Sequence, residues 1–419
     1  LKVRASYGSL GNGNIDPYSF QELFKIKQSS LVLNGIRPQY TGQPAVIPLG
    51  LTWEKSTTLN LGLDFAFLSN RLQFSGDIYQ RKTTDMFTVG MSLPAVFGTD
   101  VPKGNYADLT TKGFELSVSW RDQFQLASKP FNYEVRFTLA DYQSTIDKYN
   151  NPEKKLGDDY YYEGMKVGEI WGYETEGFFT SQADIDSHAK QPYFYAGATA
   201  GQWLPGDIKF KDLNGDGVID YGNNTVDNPG DQKIIGNSEP RFIYGINLSG
   251  DWNNFFVSAF FQGVGKQDWW PGSEASYFWG MYNRPYNDMP KSHLGNIWTE
   301  ENPNTYFPRL RGYSSEEPYA ELNLKQTRYL QNIAYIRMKN IQLGYTLPKS
   351  FISKLRMQNA KVYVSGENLW SWSPFYKYSK DLDVEAVRGS DRDLTEGTSG
   401  NGYSYPILKS VSFGLSVTF

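Results

Sequence analysis

Apolar and polar residues alternate one by one in short stretches along this chain, and the last stretch is the plainest. Within residues 410–419, Val411, Phe413, Leu415, Val417 and Phe419 are apolar, while Ser412, Gly414, Ser416 and Thr418 between them are small or hydroxylated. A period of two gives a strand one greasy face and one polar face. Ten or so residues is also what a tilted strand needs to cross the hydrocarbon layer of a bilayer, roughly 9 to 11.

The pattern recurs. Leu1, Val3, Ala5 and Tyr7 alternate with Lys2, Arg4 and Ser6; Leu59, Leu61, Leu63, Phe65 and Phe67 with Asn60, Gly62 and Asp64. Residues 71–81 set Leu72, Phe74 and Ile78 against Arg71, Gln73, Asp77 and Arg81, and Phe114, Leu116, Val118 and Trp120 mark the next strand. Residues 131–140 set Phe131, Tyr133, Val135, Phe137 and Leu139 against Asn132, Glu134, Arg136 and Thr138. Further strands are predicted through Phe242 to Leu248, from Phe255 to Gly263, through Ile341 to Tyr345 and over residues 361–370. Ile336 and Met338 are out of phase with Ile341, which predicts a bulge near Lys339. The total is about ten strands, and the fold class is all-β.

The connections alternate in length: long at 9–54, short at 68–70, long at 85–109, short at 121–130 and very long at 148–240. They continue short at 252–254, long at 265–332, short at 347–359 and long at 371–408. A large antiparallel transmembrane β-barrel has this asymmetry, with short turns on the periplasmic side and long extracellular loops. A soluble sandwich meets the same solvent at both ends and has no reason to keep it. The polar faces decide in the same direction. Glu134 with Arg136, or Arg71 with Asp77, would be costly in a dry core but suit a hydrated lumen.

Composition fits this picture. Of 419 residues only 39% are hydrophobic, as expected when every second residue of a strand faces water. Lys and Arg number 41 against 45 Asp and Glu, a net charge of −4 without the basic stripe that a nucleic-acid partner would require. Cysteine is absent and only His188 and His293 occur, far apart, which argues against thiol, triad or multi-histidine zinc chemistry. No run approaches the length of a membrane-spanning helix. We find no catalytic constellation. A secreted carbohydrate-active enzyme would need a carboxylate pair that we cannot locate.

One motif has the spacing of a metal loop, beside the alternative of an Asx- and Gly-rich turn that holds no ion. In D-L-N-G-D-G-V-I-D, oxygen donors from Asp212, Asn214, Asp216, the backbone of Val218 and Asp220 follow calcium-loop spacing, with Gly217 at the sharp turn. The last position would be Asn223, which is not the bidentate carboxylate such loops use; Asp231, returning after an insertion, is the expected substitute. The loop alternation places this site outside the cell, with a structural role for the Ca²⁺. Aromatic residues crowd the same outer loops, and Trp269, Trp270, Trp279 and Tyr161 are candidates for ligand contact by ring stacking, beside the alternative that they pack the loops together.

Several segments also resemble a known family. They include L-K-V-R-A-S-Y-G-S-L-G-N-G-N-I at Leu1, G-E-I-W-G-Y-E-T-E-G-F-F at Gly168 and P-G-D-I-K-F-K-D-L-N-G-D-G-V-I-D at Pro205. P-R-F-I-Y-G-I-N-L-S at Pro240, F-F-Q-G-V-G at Phe260, G-E-N-L-W-S-W at Gly366 and the ending S-Y-P-I-L-K-S-V-S-F-G-L-S-V-T-F complete the set. In order, they resemble the SusC/RagA-type TonB-dependent outer-membrane transporters. The resemblance implies a plugged barrel of about 22 strands, of which residues 1–419 supply the C-terminal part; the plug and earlier strands are expected elsewhere. It further implies TonB-driven import across the outer membrane of a bulky glycan or peptide nutrient, contact with TonB through the missing part, and a SusD-like lipoprotein over the mouth. The alternative is a barrel subunit of an assembly or secretion complex that transports nothing.

Overall fold

The structure, a computed structural model, describes residues 1–13, 21–42, 44, 46–47, 50–90, 96, 101–157, 160–192, 202–273, 275–284, 286–316, 319–387 and 405–419. One sheet of ten strands dominates it. The strands are β1 (Lys2–Asn12), β2 (Glu54–Phe67), β3 (Leu72–Val89), β4 (Lys103–Leu126) and β5 (Lys129–Lys148). Then follow β6 (Arg241–Trp252), β7 (Phe255–Lys266), β8 (Tyr335–Thr346), β9 (Asn359–Trp372) and β10 (Ser410–Thr418). All pairings are antiparallel, and the order across the sheet is the order along the chain.

Register lines up the greasy positions into one continuous stripe. Leu61 lies opposite Ala5 and Ile78, Phe137 opposite Val118 and Ile246, and Val364 opposite Leu343 and Phe413. Water-soluble folds would bury this stripe. Here Leu61 is 47%, Leu343 52% and Phe413 87% exposed, as a surface made for acyl chains must be. Tyr133 and Phe137 are only half-buried, and no second layer covers them among the described residues.

The opposite face carries the charges. The Arg4 guanidinium reaches Asp64 at 2.8 Å and Asp77 at 2.7 Å across three adjacent strands, and Asn60 donates to Asp77 at 2.8 Å. Further along, Glu134 lies 2.6 Å from Arg121 and 3.1 Å from Arg136. Each ion pair offsets the desolvation of its partner, which lets charged side chains line the lumen without facing lipid.

The short connections expected at 68–70 and 252–254 are present, and the one expected over 121–130 is tighter. The chain reverses at Leu68–Asn70, Ala127–Ser128 and Asn253–Asn254, all at positive φ, the left-handed geometry of hairpin turns matched to strand twist. The connection expected over 121–130 is therefore only Ala127 and Ser128, with β4 and β5 paired from Leu126 and Lys129. Strand lengths need the same correction: β4 has 24 residues and β5 has 20, twice what a bilayer requires. Their loop-side halves, from about Lys103 to Thr111 in β4, lose the greasy alternation once they leave the lipid, but the backbone ladder continues. The expected bulge is present at Lys339, which lies between the pairs Phe261↔Met338 and Phe260↔Asn340. It restores Ile336 and Met338 to the lipid-facing stripe.

The buried core is in the loops. Trp279, Tyr282, Tyr329, Phe179, Phe210, Phe278, Phe307 and Phe375, drawn from three long connections, are almost wholly buried against one another. Small antiparallel pairs frame them: Glu169–Tyr173 with Gln232–Asn237, and Thr175–Phe178 with Ile208–Phe210. Val264 and Tyr335, at the loop-side ends of β7 and β8, belong to the same core and anchor this cap to the wall.

Candidate functional site

Above the wall, residues 212–231 fold as a ring of short turns, each closed by an acidic or amide side chain on a nearby backbone N–H. Asp212 accepts from Gly215 at 2.6 Å and Gly217 at 2.8 Å, Asn214 from Asp216 at 2.9 Å, and Asp216 from Val218 at 2.8 Å. Asp220 accepts from Gly222 at 2.7 Å. Gly215 and Gly217 sit at φ 77° and 82°, which L side chains adopt only with strain.

Asp231 returns to this ring after the insertion, while Asn223 stays exposed in it, its N–H donating to Asn228. The Asp231 side chain is fully buried; it accepts from Leu213 at 2.7 Å and from Asp220 at 2.9 Å. Burial outweighs these bonds and raises its pKa above the usual carboxylate value. In this conformation the carboxylates point at amides, and among the described residues no three His, Cys, Asp or Glu side chains converge as a metal group. The donor set of the loop is all oxygen, the chemistry of a hard divalent cation.

The aromatic candidates part company. Trp279 has no exposed surface, donates its indole N–H to the Pro271 and Gly272 carbonyls at 3.1 Å, and packs edge-on against Phe278 at 4.8 Å. Trp269 is buried between Phe278 and Phe375. These two are corrected from candidate ligand contacts to core residues, because long loops packed on one another can bury more aromatic surface than a sequence scan assigns them. Trp270 is half-buried against Trp279 at 6.3 Å, and Tyr161 half-buried against Tyr149 at 5.4 Å, a separate cluster.

Sequence reasoning missed the clamp that joins two loops. Asp207, fully buried, accepts from Arg309 at 2.8 Å and from both Nε (2.7 Å) and Nη2 of Arg311. Next to it Glu321, also fully buried, accepts from the Ile208 N–H at 2.9 Å; burial and the Asp207 charge push its carboxyl up. The bonded partners in this clamp lie 102 to 113 residues apart, beyond any local motif. Also unanticipated is a protruding hairpin, Ile26–Gln28 paired with Gln39–Thr41 and closed at Asn34–Gly35. Leu31, Val32, Leu33 and Ile36 at its tip are all more than half exposed, and its hydrogen bonds among the described residues are internal.

No family model matches the chain. Along its whole length it is 28% identical to TonB-dependent receptor P3 of Formosa agariphila and 23% identical to TonB-dependent receptor SusC of Bacteroides thetaiotaomicron, covering 39% and 37% of those proteins. The structure of the RagAB peptide transporter superposes on the entire chain with a TM-score of 0.71 at 20% identity, over 40% of that chain. The RagAB peptide importer in its closed-closed state gives 0.69 at 19% identity. The chain thus spans about two fifths of the length of the relatives it matches. These relatives are receptors and transporters, not enzymes. With ten sequential antiparallel strands, a lipid-facing stripe and likeness over its full length, the chain forms part of a transmembrane β-barrel and is similar to TonB-dependent receptors of the SusC type.

Proposed function

We propose that this chain builds part of an outer-membrane importer for a bulky nutrient, an oligosaccharide or oligopeptide, energised through TonB and capped by a SusD-like surface lipoprotein. The observation that carries the reading is the division of the wall: exposed Leu61, Leu343 and Phe413 on one face, ion-paired Arg4, Asp64 and Asp77 on the other. Such a wall encloses a wet passage, and the folded cap above it offers a gate for cargo and no reacting group. The lipoprotein partner is supported by the hairpin, whose apolar tip stands free of the cap and has the composition of a surface meant to be covered. The test is uptake of fluorescent oligosaccharides and oligopeptides by cells carrying the intact receptor, with and without TonB. TonB-dependent entry of either class is expected. A correctly assembled barrel that admits neither overturns importation and leaves the non-transporting subunit.

The ring at 212–231 would hold calcium through Asp212, Asn214, Asp216, the Val218 carbonyl, Asp220 and Asp231. A bound cation would favour the charged form of the buried Asp231 and stiffen the cap. Calorimetric titration should detect calcium binding that Asp216→Asn weakens at least about tenfold, roughly 1.4 kcal/mol; identical isotherms for both proteins would dismiss the site.

A further inference from the structure

On the lipid face, at the short-turn ends of β4 to β7, the wall is hollowed by a groove of about 420 Å³. That volume falls within the range of small-molecule sites, roughly 300 to 1,000 Å³. One side of the groove is aromatic: the Phe124 and Phe131 rings lie 5.1 Å apart, and each is 6.2 Å from Tyr133. Trp120 donates its indole N–H to the Tyr133 hydroxyl at 3.1 Å, which draws that ring toward β4 and away from β6. The other side is Leu248, Val257 and Ala259. Register makes the hollow, because Gly250, with no side chain, lies between Tyr133 and Val257, and the small Ala259 lies beside Leu248. Phe131 leans over Gly250, where an added Cβ would meet its ring at 3.1 Å. Glu134 and Ser249, paired across the ladder, belong to the lumen side, where Glu134 meets Arg121 and Arg136, so the groove is walled by apolar side chains.

Its mouth, at the turns, carries a charge. Lys129 is exposed and two residues from Phe131 along β5, which places it on the lipid face. Its ammonium donates to the Asn253 side-chain oxygen of the next turn, a neutral partner that leaves the charge uncompensated. Beside it Arg71 and Asp122 pair at 3.0 Å, while Asp251 belongs to the lumen face and accepts from Asn132. On the lipid side of these described turns the balance is thus 2 − 1 = 1 positive charge. Trp252 joins the same two turns, donating to the Leu126 carbonyl at 3.0 Å. A tryptophan so placed marks the boundary of lipid and water, the level of the headgroups. An apolar groove that ends at this level beside one unpaired cation matches an acyl chain below a negatively charged headgroup.

We propose that this groove binds one phospholipid with an anionic headgroup, its acyl chain between Tyr133 and Val257 and its phosphate on the Lys129 ammonium. The proposal needs only the lipid-facing wall and goes beyond the import reading, which could fail without touching it. The test uses the full-length receptor purified in detergent, stripped of lipid and titrated with dioleoylphosphatidylglycerol or the zwitterionic dioleoylphosphatidylcholine, with bound lipids counted by native mass spectrometry. One phosphatidylglycerol is expected to bind ahead of all others and more tightly than phosphatidylcholine. Lys129→Gln should lose about fivefold for phosphatidylglycerol, the equivalent of about 1 kcal/mol for an exposed ion pair, and little for phosphatidylcholine. Ala259→Phe, which fills the hollow with another apolar side chain on the lipid face, should weaken both. Unchanged heat-modifiable mobility verifies the barrel in each variant. Equal affinity of the wild type for the two lipids, or a Lys129→Gln variant that binds like it, overturns the headgroup assignment; Ala259→Phe binding as wild type does overturns the groove. A dimer that Ala259→Phe dissociates, with no preferred lipid, would give this face to a second copy of the chain and overturn the proposal.

Discussion

In the wall, Leu343 points its side chain outward, half exposed, between Val257 and Val364; in the cap, Trp279 is sealed among Phe278, Trp270 and Tyr329. In the wall, charges pair on a hydrated face, as Arg4 does with Asp64; in the cap, the fully buried Asp207 pairs with the nearly buried Arg311 and with Arg309, which keeps part of its surface in water. The wall is held by its backbone ladder and by lipid, the cap by a core like that of a soluble domain. One chain thus follows two solvent rules, and the boundary between them falls near the loop-side ends of β7 and β8, where Val264 and Tyr335 enter the cap core.

The largest effect should come from the cap. Asp207→Asn leaves two guanidinium groups beside a buried site and should cost about 3–5 kcal/mol. Limited proteolysis should then cut residues 202–211 and 305–331, while heat-modifiable migration of the barrel is unchanged; simultaneous loss of both would merge the two regions into one cooperative unit. Next is the wall. Leu343→Arg puts a charge on the lipid face and should cost about 2–4 kcal/mol of barrel stability, whereas Gln342→Arg, one residue away on the lumen face, should cost little. Urea titration of barrels refolded in bilayers measures both, and equal losses would contradict the assigned faces.

The smallest effect separates the regions by pH. His293 is buried, with Nε2 2.9 Å from the Phe278 carbonyl and its ring 4.0 Å from that of Phe307; burial lowers its pKa to about 4. A depressed histidine stays neutral in the folded cap while the unfolded chain takes up a proton near pH 6.5. Its contribution is therefore fully present above about pH 6.5 and is lost as pH falls toward 4, about 2 kcal/mol of it by about pH 5. Cap melting followed by tryptophan fluorescence should show this slope, and His293→Phe should flatten it; a slope that survives the substitution would assign it to another group.

How much of this could be read beforehand follows the same division. Lipid forces strict alternation, so Phe131 to Leu139 and the displaced Ile336 and Met338 declared the wall and its bulge directly. Where strands leave the lipid that constraint ends, and the loop-side half of β4 gave no sign of itself. In the cap, Trp269 and Trp279 have the composition of a binding surface, and only their three-dimensional neighbours make them core. Asp231 was within reach because oxygen donors at fixed offsets call for a closing carboxylate. Asp207 and Arg311 were not, because a charge pair spanning 104 residues leaves no periodicity.

The strictly sequential strand order has a kinetic corollary. Every wall strand finds its partner in the adjacent hairpin, so the sheet can zip from one end with small entropy lost at each closure. The Asp207 clamp must instead bring together stations separated by two transmembrane strands, β6 and β7, and only their completed pairing sets the distance between those stations. Assembly then runs from membrane outward, and the gate takes shape only after the passage it guards.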